Sequence, residues 1–160
     1  MQISVLSQIR TEFQEPKVVA CWSPYPFADF FQCRKLCMEL LQVYPQLLFV
    51  DCCSGQSKKA ECFLQRADLI LLLLPQSKEL LRDIYQQTLP YHKNCLPILC
   101  GYRRFAEPTP EQIGRYYRLS DRPVGLLPAK ELFSQASLSE DRSELVRYTG
   151  RLIRLRIEAL

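Results

Sequence analysis

Residues 47 to 60 read LLFVDCCSGQSKKA and hold the densest set of reactive groups in this chain: the Asp51 carboxylate, the thiols of Cys52 and Cys53, the Ser54 hydroxyl, Gly55, and the cations Lys58 and Lys59. A cysteine that follows a strand can attack an oxyanionic substrate when backbone N–H groups and an arginine about five residues on cradle the anion. Here the cation at that distance is a lysine, which lacks the planar two-point contact of a guanidinium, and no acid-donating aspartate can be placed. A cysteine-loop phosphatase or sulfurtransferase is therefore a disfavoured alternative. An aspartate at a strand end can instead support magnesium beside a phosphate-binding loop, which makes Asp51 the candidate to test. A phospho-receiver site is excluded, because the first strand ends in Trp22-Ser23 where it needs acidic residues.

The other thiols make no metal site by spacing. Zinc wants paired ligands, and the chain offers only Cys33/Cys37, Cys52/Cys53 and its single histidine, His92. Several of the eight cysteines lie in apolar runs such as Cys95-Leu-Pro-Ile-Leu-Cys100, where a free cysteine behaves as a small hydrophobe. No charged-then-apolar leader precedes them, so reduced thiols and a cytoplasmic location are expected. The longest apolar run, Leu69 to Leu74, is too short to span a bilayer.

Net charge is +4, and the segment from Lys93 to Lys130 carries all of that excess, with seven basic residues against three acidic ones. Arg103, Arg104, Arg115, Arg118 and Arg122 lie there among Tyr102, Tyr116 and Tyr117. Weak contact with nucleic acid or another anionic surface is one reading; an ordinary solvated face is the other.

The elements that must position these groups follow from periodicity. Val18–Trp22, Leu47–Val50, Leu69–Leu74, Leu96–Cys100 and Val124–Leu127 are short apolar runs without alternation, as expected of strands buried on both faces. Between them come helical patterns: one from Phe30 that stops at Pro45, one over Ser57–Arg66, one over Lys78–Leu89, and one opened by Thr109-Pro-Glu-Gln112. Residues 139–160 predict a closing amphipathic helix capped at Ser139, which suits docking on the sheet better than lying on a membrane. Residues 1–16 form an arm of undecided structure. The expectation is one α/β domain over 1–160, in three layers, with about five mostly parallel strands and helices on both faces.

The run LLFVDCCSG, followed by RADLILLLLPQSKELLRDI, CLPILCGYRRF and GLLPAKELFSQASLSEDR, resembles the ParA/MinD-type deviant-Walker P-loop ATPases over roughly residues 35 to 160. The resemblance implies a Rossmann-like, P-loop-related fold, with Asp51 at the magnesium-side aspartate and dimerisation across the edge that carries it. This chain departs from that pattern where the phosphate loop belongs. Ser23-Pro-Tyr-Pro-Phe-Ala-Asp-Phe-Phe31 has no glycine or lysine, two prolines remove amide donors, and Asp29 would repel phosphate. Gly101-Tyr102 likewise stands where the family often presents a base-recognising asparagine.

The expected function is a non-catalytic interaction module, a degenerate relative with Asp51 vestigial, no cofactor, and a protein partner or a second copy bound in positioning or assembling a larger complex. Trp22, Tyr25, Phe27, Phe30 and Phe31 are candidate interface aromatics, with core packing the competing role for the last two. The alternative is an ATPase using ATP and magnesium through a site completed by a partner.

Overall fold

The computed structural model describes residues 15–26, 30–117, 123–129 and 136–160, with side chains from 142 in the last segment. Five parallel strands form one sheet: β1 (Val18–Ser23), β2 (Leu48–Ser54), β3 (Leu69–Pro75), β4 (Cys95–Tyr102) and β5 (Gly125–Pro128), in the order β2-β1-β3-β4-β5. The helices are α1 (Phe31–Val43), α2 (Lys58–Arg66), α3 (Lys78–Thr88), α4 (Pro110–Tyr116) and α5 (Ala136–Glu158), with a 3-10 turn over Leu89–Asn94. The expected fold class, three α/β layers around a five-stranded parallel sheet, is what the chain adopts.

Alternation along the strands builds two cores. Val19, Cys21, Leu69, Leu71, Leu73, Leu96 and Ile98 face α1 and α5; Ala20, Trp22, Ile70, Leu72, Leu74 and Leu99 face α2, α3 and α4. All six residues Leu69–Leu74 are buried, which explains why β3 reads as unbroken apolar sequence at the centre of the sheet. Thr109 and Gln112 close a reciprocal capping box at α4, as the sequence predicts.

Three expectations are corrected. Asp51 to Ser54, read as a turn, continue β2 in register with β1, with a bulge at Cys52 and Cys53 at a left-handed φ of 56°. Pairing with β1 on either side of the bulge keeps these polar residues in the strand, as an edge position in the described sheet allows. The last helix begins at Ala136, so Ser139 lies inside it rather than at its cap. The third helical pattern ends at Thr88, one residue early, where Pro90 tightens the chain into the 3-10 turn. Residues 1–14 of the expected arm lie outside the described residues, as do Phe27, Asp29, Arg118, Arg122 and Lys130.

The two sheet edges differ. At β5, the buried Thr149 of α5 accepts from the Leu126 N–H (2.8 Å) and donates to the Leu126 carbonyl (2.5 Å). Gly125 leaves room for this approach, since a Cβ there would meet Ile98 Cγ1 at 2.9 Å and Thr149 Cγ2 at 3.1 Å. At β2, Leu48, Asp51, Cys53 and Ser54 are exposed.

Candidate functional site at the carboxyl edge

The strand order reverses direction between β1 and β3, and in open α/β sheets that switch point opens a crevice beyond the strands' carboxyl ends. β1 delivers Ser23 to this edge, β2 delivers Asp51 to Gly55, β3 delivers Gln76 and β4 delivers Arg103 to Phe105. Ser23, Asp51 and Gln76 among these are engaged within the fold.

Asp51 has partners on both oxygens. Arg34 Nε, one turn into α1, lies 2.5 Å from Oδ2, and the Cys53 N–H donates to Oδ1 at 2.9 Å. Partial burial pushes the Asp51 pKa up, but the Cys53 N–H and Arg34 outweigh it and the net shift is downward. The carboxylate thus anchors the bulge and ties α1 to the edge strand. It does not cap α2, where the Ala60 N–H donates to the side-chain oxygen of the N-cap Ser57 at 3.0 Å. Burial pushes Cys52 up to about 11, which opposes the thiolate that a cysteine nucleophile requires.

The end of β1 is also closed on itself. The Ser23 carbonyl accepts from the Gly55 N–H at 2.9 Å, and Ser23 Oγ accepts from the Tyr25 N–H at 3.2 Å. Pro24 and Pro26 carry no N–H. Residues 23 to 26 therefore build no cluster of converging amides of the kind that holds phosphate.

Trp22 is not an exposed interface residue. It is buried, its indole Nε1–H donates to the Gly55 carbonyl (2.9 Å), and its ring meets Tyr91 edge-on at 5.7 Å. The strand's alternation turns its ring toward α2 and α3. A cavity of 390 Å³ lies on that face, between Trp22, Ser57, Glu61, Leu64 and Tyr91. Tyr25 is half-buried against the same core. Phe30 is buried, while Phe31, its neighbour on α1, is 61% exposed.

The basic candidates separate. Arg103 and Arg104 are exposed in the loop after β4, and Arg115 is exposed on α4. Beside the first two stands Phe105, 95% exposed with the Arg104 guanidinium 5.9 Å from its ring centre, a residue to which the sequence reading assigned no role. The available signal was an aromatic with no periodic partner between a strand and a capped helix.

Gln76 holds this loop in place. Its Nε2 lies 3.2, 3.0 and 3.1 Å from the carbonyls of Arg103, Ala106 and Pro108, and its Oε1 accepts from the Arg103 N–H at 2.9 Å. Lys78 pairs with Glu107 at the same corner. Arg34, Gln76 and Phe105 therefore have parts in the site that sequence reasoning did not give them.

No described helix is long and apolar enough to cross a membrane. No protein-family model matches the chain, and no curated protein matches it either. Among solved structures it is similar to a chain of the MinC:MinD cell division protein complex of Aquifex aeolicus, at 12% identity and a TM-score of 0.48, over 87% of this chain and 84% of that one.

Proposed function

We propose that this chain is a non-catalytic α/β interaction module, a ParA/MinD-like architecture without a working phosphate loop, acting through protein contacts at its carboxyl edge in the positioning or assembly of a larger complex. The observation that carries this reading is the engagement of Asp51: one oxygen is held by Arg34 and the other by the Cys53 N–H, so the carboxylate serves the fold where a magnesium-side aspartate would serve a ligand. Exposed Phe31, Phe105, Arg103 and Arg104 give the same edge the aromatic and arginine character enriched in protein interfaces. Neither ATP nor magnesium has a role in this function, and the partner is a protein.

Titration calorimetry with ATP and magnesium tests the first half and is expected to give no binding heat. Micromolar binding that disappears in Asp51→Ala overturns the reading. For the second half, a photo-crosslinking residue at position 105 is expected to capture a protein that the same probe at Gln65 does not, and to lose it in Arg103→Glu/Arg104→Glu. Equal capture from both positions refutes an edge-specific contact.

A further inference from the structure

We propose that Cys21 and Cys33 form a reversible disulfide on exposure to hydrogen peroxide, fastening helix α1 to strand β1. The Cys21 thiol donates to Cys33 Sγ at 3.3 Å, with both residues buried between β1 and the first turn of α1. A disulfide holds its sulfurs about 2.05 Å apart, so closure needs an approach of a little over 1 Å. Cys37, one helical turn beyond Cys33, is buried beside the same pair. A Cys33–Cys37 bond would close a single turn of one helix; Cys21–Cys33 joins two elements.

The chemistry balances with peroxide as the oxidant. Cys21 sulfur attacks one peroxide oxygen, the O–O bond breaks, and the thiol proton leaves with the displaced oxygen as water. Cys33 sulfur then attacks the resulting sulfenic sulfur, the S–O bond breaks, and the Cys33 proton departs with the hydroxyl as a second water. Two thiols are oxidised by one electron each and one peroxide is reduced to two waters. Contacts with the Cys21 and Cys37 thiols and burial hold the Cys33 pKa well above the usual thiol range, which makes Cys33 a poor first nucleophile and the reaction slow.

The bond would act on a joint already described. Cys21 lies opposite Asp51 in the β1–β2 register, and Arg34, the next residue after Cys33, grips Asp51. Oxidation therefore locks from the core side a connection that the ion pair makes from the solvent side. The inference does not depend on the proposed function.

The full reduced chain is treated with peroxide, alkylated and mapped by mass spectrometry without reduction. The expected product is a Cys21–Cys33 linked peptide pair, lighter by two hydrogens, reversed by dithiothreitol. Emission from Trp22, the only tryptophan and the neighbour of Cys21, should fall on oxidation and recover on reduction. The link should persist in Cys37→Ala and in Cys53→Ser/Cys62→Ser, and vanish in Cys33→Ala. Products confined to Cys52, Cys53 or Cys62, with Cys21 and Cys33 still alkylated after unfolding, overturn the proposal, and the wild-type map decides this even where a variant does not fold.

Discussion

The Gln76 latch makes the sharpest prediction, because its two ends respond differently to substitution. The side-chain amide has two hydrogens facing three carbonyls, so two full bonds, or three shared ones, form on that side; Oε1 adds another from the Arg103 N–H. A net hydrogen bond contributes about 0.5–1.5 kcal/mol, and those to the exposed Arg103 backbone fall at the low end because water replaces them. The latch should therefore hold the 103–108 loop by about 1–3 kcal/mol. Gln76→Ala removes that, and amide exchange of residues 103–106 should speed up by roughly ten- to a hundredfold, at about 1.4 kcal/mol per decade. Gln76→Glu should be worse than alanine at neutral pH, since it turns a carboxylate oxygen toward three carbonyl oxygens. It should recover at low pH, where a protonated acid again has a hydrogen to give. Native-state hydrogen exchange followed by mass spectrometry reads all three cases. Loop protection in Gln76→Glu equal to wild type at pH 7 would refute the reasoning.

Thr149→Val keeps the shape of the residue but leaves the Leu126 N–H and carbonyl without a partner on α5; at part-buried groups this should cost about 2–3 kcal/mol, seen as a drop in Tm of roughly 5–10 °C. Thr149→Ser, which keeps the hydroxyl, should lose distinctly less, and equal losses would count against the hydrogen bonds as the cause. Burial lowers the pKa of His92, whose ring lies 4.7 Å from Tyr85 and 4.9 Å from Tyr117, with Nε2 3.1 Å from Thr88 Oγ1. The unfolded chain then takes up the proton first as pH falls, so this contribution to stability is complete above about pH 6.5 and declines below it. Denaturant midpoints measured from pH 7.5 to 5 should show that decline in wild type and a flatter profile in His92→Gln.

The sheet was legible in the sequence because its central strands are buried on both faces: six consecutive apolar residues at β3, and the Ile98–Leu99 pair in β4, leave no polar alternation to confuse the pattern. The α4 start was legible because Thr109, Pro110 and Gln112 satisfy helix-end amides by local chemistry alone. The end of β2 was not, since Asp51-Cys-Cys-Ser carries turn-forming residue types and only its ladder with β1, thirty residues earlier, keeps it extended. Trp22 misled for a related reason. Its aromatic type suited an interface, and the face it occupies follows from pairing and helix placement that no local pattern encodes. The Arg34 and Gln76 contacts join residues 17 to 32 positions apart, so their function as fasteners became visible only once the chain was folded.

The unequal sheet edges limit how copies of this chain could add to one another. Pro128 has no donor to offer and Leu126 is already satisfied by Thr149, so β5 is a stoppered margin, whereas among the described residues no strand lies beyond β2. Continued growth by strand addition requires two receptive margins, one to give and one to receive. A molecule with a single receptive margin can add its like by strand pairing only symmetrically, and such a union consumes both margins and terminates at two.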